Sequence, residues 1–367
     1  MSDSKSYSSP KRRGAILMIG PFPPPLTGAA LMMEGIAQKF RRAVRVETVN
    51  VSSVNLDRNW RYHLTRLKRM CLAFGLIIGH AREFNAVYIS LSGGLGQVYD
   101  LALVAAARMF GYTLSIHHHS FSYIDRRSPV FALITRIAGN RALHICLCTA
   151  MAAKLKATYG GVARTVTLSN AAMMGGPVQR QSPDRDAIVL GHMSNLMLEK
   201  GIDTAFDVFR RCRSAGLSVH LVIAGPMLNA DIRQMIDSAC AEFGAAFEYR
   251  GAVHGKDKER FFQDIDIFLF PTRYRNEAQP LVVLESLAAG VPVIASARGC
   301  IGEAIGGAGL AVGENDDFIA QALAMLSEYA KSPDALRRAS RHATEQAAAH
   351  FAQSSKDLQE IMQQLVG

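Results

Sequence analysis

The sequence has little of what marks the commoner ligand classes. It contains one tryptophan, Trp60, and aromatic residues make up only 8% of its 367 positions. Its basic residues are not interleaved with aromatics and no nucleic-acid module signature is present, so nucleic acid is not an expected partner. Low-complexity tracts and internal repeats are absent. No apolar run approaches the ~20 residues needed to span a bilayer. Residues 1–13 are rich in Ser, Lys and Arg and lack the apolar core of a signal peptide, so they read as a disordered basic tail. Cysteine is sparse and scattered, at Cys71, Cys146, Cys148, Cys212, Cys240 and Cys300. Cys146-Leu-Cys148 alternates along an expected strand, which is not a metal or thioredoxin-type spacing. All six are expected to be reduced, mostly buried thiols of a cytosolic protein.

What is present points to two α/β domains. At about 100–200 residues per domain, the length predicts two, and 49% apolar residues suffice for two cores. Short strand-like and helix-like segments alternate from Ala15 to Leu168. Among them are the strands Ala86–Ser92, Thr113–His119 and His144–Thr149 and a helix over His63–Glu83. Such alternation means a parallel sheet covered on both faces. The polar, Gly- and Pro-containing stretch around Gly175–Arg185 reads as a linker, after which the alternation restarts at Ala187. The expected units are a tail (1–13), a first domain (14–176), a linker (177–186), a second domain (187–351) and a C-terminal helix (352–367).

Charge is unevenly placed. The formal net charge is +10, but residues 1–176 carry 22 Lys and Arg against 7 Asp and Glu, and the remainder carries 19 against 24. A strongly basic half suits an anionic surface, and with nucleic acid set aside an anionic bilayer is the expected partner. The expected contact is Trp60–Gly79, where Arg58, Arg61, Arg66, Lys68 and Arg69 precede the apolar run Cys71–Gly79. A basic amphipathic helix lying on lipid fits that pattern, and so does an ordinary domain helix with an exposed basic face.

The most informative segment is Glu277-Ala-Gln-Pro-Leu-Val-Val-Leu-Glu285, entered from Ile267-Phe-Leu-Phe-Pro-Thr272 and left through Gly290-Val-Pro-Val-Ile294. Glu277 falls on the loop between a buried strand and a helix, and Glu285 sits about two turns beyond Glu277, on that helix. Ligands of open α/β sheets bind at that end of the strands, and helix N-termini attract phosphate. An acid pair there suits a sugar nucleotide, with the diphosphate on backbone N–H groups, one carboxylate near the sugar and one on a ribose hydroxyl.

This segment resembles the retaining glycosyltransferases of the glycosyl transferases group 1 family, and Ser194-Asn195-Leu196 resembles a subgroup of it that reads Ser-Asn-Leu. The resemblance covers nearly all of residues 14–365 and is densest over 267–295. It implies the GT-B arrangement, two doubly wound Rossmann-like domains facing each other across a cleft, with the last helix crossing back to the first domain through Ser354–Val366. It further implies a donor site at Gly28, Asn195, Lys200, Arg250, Gly251, Val253, Gln279, Pro280, Leu281, Val282 and Glu285, with Glu277, His119 and Lys200 as catalytic groups. Gly28 lies in the loop Pro21–Ala30, where the family often has two glycines and this chain has one. Lys200 sits where a cation meets diphosphate, and Asn195 replaces the family's usual Arg, so a neutral amide stands where a charge is expected. Of His117, His118 and His119 the strand end favours His119, with His118 as the alternative. His-x-His is also a metal pair, but it needs a third ligand. Asp264-Ile-Asp266 begins a strand and is not read as a metal site.

The expected function is transfer of a sugar, with retention and without cofactor or metal, from a UDP- or GDP-linked donor to a hydroxyl acceptor. A lipid-linked glycan in cell-surface polysaccharide assembly is the expected acceptor. The expected place is the cytoplasm, peripheral on the inner face of the cell membrane. Two alternatives stay open: a non-hydrolysing sugar-nucleotide epimerase, and a non-catalytic GT-B subunit that activates a partner transferase.

Overall fold

The computed structural model describes residues 14–25, 27–52, 60–80, 83–177 and 185–366. The expected tail, most of the expected linker and Arg58 lie outside the described residues. The first half runs β1 (Ala15–Gly20), α1 (Gly28–Arg41), β2 (Arg45–Asn50), α2 (Trp60–Gly79), β3 (Ala86–Leu91), α3 (Gln97–Met109), β4 (Thr113–His118), α4 (Ser122–Asp125), α5 (Pro129–Ala138), β5 (Leu143–Cys146), α6 (Thr149–Thr158) and β6 (Arg164–Thr167). The second runs β7 (Ile188–Met193), α7 (Ile202–Ser214), β8 (Val219–Ala224), α8 (Ala230–Phe243), β9 (Phe247–Tyr249), α9 (Gly255–Asp264), β10 (Ile267–Phe270), α10 (Leu281–Ala288), β11 (Val293–Ser296), α11 (Ile301–Ile305), β12 (Gly309–Val312), α12 (Phe318–Lys331) and α13 (Pro333–Val366).

The strands form two six-stranded sheets, ordered β2-β1-β3-β4-β5-β6 and β12-β11-β10-β7-β8-β9. Each pairing is parallel, so helices must cross over both faces. Burial on both faces explains why the central strands are apolar without alternation: β1, β3 and β7 are buried along their whole length. The edge strand β2, Arg-Val-Glu-Thr-Val-Asn, carries polar residues and is mostly uncovered.

In the first sheet, α2, α3 and α5 pack on one face, through Ala73, Ile77, Leu103, Val104, Phe131 and Ile134. The other face is covered by α1 and by the end of α13. The last helix is continuous over 34 residues, where the sequence suggests two segments meeting near Phe351. Ala343 and Ala347 pack in the second domain, whereas Leu358, Ile361 and Leu365 pack with Ile16, Met18 and Tyr88 of the first.

The cysteine expectation is corrected. Cys148 and Cys300 are joined in a disulfide, 152 residues apart in sequence and 5.8 Å apart between Cα atoms. The reason is local: β5 stops at Cys146, not at Thr149, and Cys148 is the N-cap of α6. The chain turns there toward the second domain, against the loop before α11. Cys146 and Cys212 are free and buried, and Cys71 and Cys240 are free and exposed. Thiol titration of the denatured chain, alkylated before any reductant is added, should find four free thiols, with Cys148 and Cys300 in one linked pair of peptides. Six free thiols would reject the pairing.

Candidate active site in the interdomain cleft

Loops that follow strands meet loops that follow strands. The Ser120 hydroxyl, after β4, lies 3.3 Å from Asn276 Oδ1, after β10. A Cβ placed on Gly28, after β1, would sit 3.5 Å from Leu281 at the start of α10. The C-terminal edges of both sheets therefore line one cleft, the position at which open α/β sheets bind ligands.

Glu277 is buried there, at 7% exposure. Its Oε2 accepts from Lys200 Nζ at 2.6 Å and from the Thr272 hydroxyl at 3.2 Å. Lys200 is further held 4.6 Å from the centroid of the Tyr274 ring, a cation–π contact. Gly201 makes this approach possible. Its φ of +84° lies in the left-handed region, and a Cβ there would sit 2.1 Å from the Pro271 carbonyl oxygen. The loop carrying Glu277 is tied on both flanks. Arg273 binds Asp203, Thr204 and the Leu198 carbonyl on one side, and Arg298 binds the Tyr274 and Arg275 carbonyls on the other.

Four residues on, α10 begins at Leu281 with Pro280 as an N-cap that supplies no side-chain hydrogen bond. The first-turn N–H groups of Leu281 and Val282 thus have no intrahelical acceptor and sit at the positive end of the helix dipole. Glu285, one turn further, pairs with Lys258 through Oε1, and its Oε2 is buried without a hydrogen-bond partner.

The histidine triplet separates by partner. His118 is committed to the core, with Nδ1 at 2.9 Å from the Tyr123 hydroxyl and Nε2 at 3.0 Å from His144. His117 Nδ1 meets the Tyr88 hydroxyl at 2.6 Å. His119, the residue before cleft-lining Ser120, has a buried Nε2 with no partner. Burial pushes its imidazole down to about 4, so it is neutral near pH 7.

The remaining expected donor residues are differently placed. Gln279 is spent on holding the domains together. Its Oε1 accepts from Asn170 N at 2.7 Å and Ser169 Oγ at 3.1 Å, and its carbonyl accepts from Asn170 Nδ2 at 2.9 Å. Arg250 is bound by Glu248 and Asp264, and the Gly251 carbonyl accepts from Gly225 N at 2.7 Å, so little at that strand end but Val253 is uncommitted. Asn195 is exposed in the loop after β7. Of the Asp-Ile-Asp carboxylates, Asp264 binds Arg250 and Asp266 accepts from Val189 N at 2.9 Å. Among the described residues no three His, Cys, Asp or Glu side chains converge as metal ligands would.

Sequence reasoning passed over Thr272, Lys258, Tyr274, Asn276 and Arg298. Thr272 stood in the quoted lead-in and needed only a role. Lys258 comes from α9, 27 residues before its carboxylate, and no local spacing signals such a pairing.

With this geometry in view, residues 186–328 match the family model described as Glycosyl transferases group 1. No curated protein sequence matches the chain. Among solved structures, Anabaena HepE in complex with UDP and glucose aligns at 15% identity over 96% of this chain and 100% of that one, with a TM-score of 0.70. Sucrose-phosphate synthase from Thermosynechococcus elongatus aligns at 14% over 96% and 99%, with a TM-score of 0.73. A glycosyltransferase from Rickettsia africae aligns at 12% over 97% and 99%, with a TM-score of 0.68.

The buried histidines make one prediction about stability. Burial pushes His144 and His192 from 6.5 down to about 4, and His117 and His118 also well below 6.5. A depressed folded value means that the unfolded chain binds more protons between pH 6.5 and 4, so stability is full above that window and is lost as pH falls through it. His144 and His192 should each cost about 2 kcal/mol at pH 5 relative to neutral pH. Asp100, pushed up to about 7 by burial, acts in the opposite direction with about the effect of one such histidine. Denaturant melts should therefore show net stability falling from pH 7 to 5; a flat or rising profile would reject neutral burial of these rings. The cleft in which Glu277 lies is formed by two parallel six-stranded sheets in the GT-B arrangement of these structures, and the second half of the chain carries the match to glycosyl transferases group 1.

Proposed function

We propose that this chain is a retaining glycosyltransferase that moves a sugar from a UDP-linked donor to a hydroxyl of a lipid-linked glycan, as a step in cell-surface polysaccharide assembly. One observation carries the reading. Glu285 Oε2 and His119 Nε2 are buried polar atoms without partners, one in each domain, on a helix and a strand end whose loops line the cleft in which Glu277 is buried. Such atoms cost about 1–3 kcal/mol each unless something polar meets them. A sugar nucleotide offers hydroxyls for all three. UDP is preferred to GDP because Anabaena HepE is described with UDP, glucose and UDP-glucose.

In this reading the diphosphate lies against the first-turn N–H groups of Leu281 and Val282, with Lys200 as its cation. Glu285 takes the ribose and Glu277 the sugar hydroxyls. The acceptor oxygen bonds to the anomeric carbon from the face that the diphosphate leaves. The carbon–oxygen bond to phosphate breaks with its electron pair going to the diphosphate, and the acceptor proton passes to a departing phosphate oxygen. Fixed donors aimed at the developing phosphate charge provide electrostatic catalysis. Neutral His119 can accept from or donate to a sugar hydroxyl but does not serve as a cation. The carboxylates of Asp264 and Asp266 are engaged by the protein, which is the basis for proposing a metal-independent reaction.

Glu277→Gln keeps an oxygen for Lys200 and removes the charge. Transfer should fall at least tenfold, about 1.4 kcal/mol in barrier, with UDP affinity nearly unchanged. Lys200→Ala should instead weaken UDP binding by calorimetry, by the ~1.5–3 kcal/mol of a charge-assisted hydrogen bond. Retained transfer in the first variant, or unchanged affinity in the second, would move the site elsewhere. Transfer should also persist in EDTA. Loss in EDTA that magnesium or manganese restores would reject metal independence. Conversion of the donor into its UDP-linked epimer without acceptor and without net release of UDP would favour an epimerase, and turnover only with a second protein would favour an activating subunit.

A further inference from the structure

α2, α3 and α5 form one layer over the first sheet, and their outward surface is unusual in two ways. The first is apolarity. On α2 the residues turned away from the sheet include Leu64, Leu67, Leu72, Phe74 and Ile78, each 38–58% exposed. Their neighbours at Ala73 and Ile77 are fully buried against the sheet, so the helix is apolar on its outer face as well as its inner one. The layer continues outward with Val98 and Met109 of α3 and Leu133 of α5, at 53%, 73% and 42% exposure, and Leu95 just before α3 is 89% exposed. Of the 13 large apolar side chains exposed among the described residues, ten lie between Leu64 and Leu133. A soluble surface of that kind normally marks an interaction site.

The second is charge. α2, α3 and α5 contain a single acidic residue, Asp100, and it is buried, with its carboxylate accepting from Ser92 N at 2.7 Å. Lys68, Arg108 and Arg136 are exposed on the same three helices. The expected basic face of α2 needs correcting. Arg66 turns in to the Ser92 hydroxyl at 3.1 Å and over the Tyr99 ring, and Arg69 turns in to the Ser52 carbonyl. Among the α2 residues whose side chains are described, which do not include Arg61, the outward face is therefore an apolar stripe with Lys68 beside it.

We propose that this outer helical layer docks on an anionic phospholipid bilayer, with Leu67, Leu72, Phe74 and Ile78 entering the headgroup–acyl boundary and Lys68, Arg108 and Arg136 facing lipid phosphates. Apolar area and cationic charge without exposed acid are the two ingredients of interfacial binding. A protein partner would be met equally well by the apolar part; the absence of exposed acid over three helices is what selects an anionic plane. The contact of Arg66 with Ser92 sets the N-terminal half of α2 beside the C-terminal edge of the sheet, and thus beside the cleft. Docking this layer would hold the cleft rim close to the membrane plane, where a lipid-anchored acceptor is confined. The docking face does not rest on the proposed transfer, and vesicle binding reads it independently of activity.

The test is flotation of the full chain with phosphatidylglycerol-containing vesicles, compared with pure phosphatidylcholine. Wild type should float with anionic vesicles in low salt and not with neutral ones. L72E/F74E should abolish flotation even in low salt while UDP affinity by calorimetry stays at the wild-type value. K68Q/R108Q/R136Q should lower the partition coefficient about a hundredfold, taking ~1 kcal/mol per charge, and raised salt should reproduce the effect. No binding of wild type to anionic vesicles would overturn the inference. So would flotation unchanged in L72E/F74E. An oligomer of wild type that L72E/F74E converts to a monomer, with no vesicle binding by either, would reassign the face to a second copy of the chain.

Discussion

The site depends on an ion pair formed where water hardly reaches it. Glu277 and Lys200 expose only 9% and 17% of their side chains. Neither would remain in that position alone, because removing one partner of a buried pair leaves the other charge uncompensated, at roughly 3–5 kcal/mol. The pair comes from two loops, one after β7 and one after β10, so it also pins those strand ends to each other. Gly201 lets the first loop come close enough, and Arg273 and Thr272 hold the second. A diphosphate arriving beside Lys200 would share its charge with Glu277, which ties donor binding to the orientation of the group proposed to hold the sugar.

Two residues beyond Glu277, the same segment becomes the joint between domains. Gln279 is bonded on Asn170 and Ser169, and Ala278 accepts from Cys300 N at 2.7 Å. Cys300 is in turn joined to Cys148, and Glu303 nearby accepts from Thr149 N and Ala150 N at the open end of α6. A carboxylate at a helix N-terminus is favourable for the same reason that phosphate is. The contacts that set the width of the cleft are thus covalently and sterically continuous with the loop that aims Glu277. Gly299, with φ at +61° and the Ala278 carbonyl 2.5 Å from where a Cβ would stand, admits no larger residue at this joint.

Much of this was legible because it is local. Buried parallel strands announce themselves as unbroken apolar runs, as β1 and β10 do. Glu277, Pro280 and Leu281 are legible for the same reason, since strand, loop and helix follow one another within twenty residues. What escaped depends on chain reversals. Lys258 reaches Glu285 from another helix, Arg298 reaches back to Tyr274, and Cys148 meets Cys300 across 152 residues. Gln279 shows a subtler limit: a side chain between two domains can point to either, and here it bonds the first. Arg66 and Arg69 fail similarly, since a basic run shows charge but not the direction in which a long, flexible side chain turns.

The distribution of charge then fits the division of labour between the halves. The second half, which carries the residues proposed to bind donor, has more acids than bases, yet it concentrates Lys200, Lys258 and the α10 N-terminus around the place proposed for diphosphate. The first half is strongly basic, and part of that excess lies on the outer layer, on the opposite side of the first sheet's helices from its core. Long-range attraction between a +15 half and a sugar-nucleotide diphosphate would be screened beyond about 10 Å, so the excess is poorly placed to bind donor. A planar anionic surface meets many such charges at once and at contact distance. The same screening length that makes outlying arginines useless to a small anion makes them effective against a bilayer, and that asymmetry separates the role of the first domain's surface from the role of its cleft.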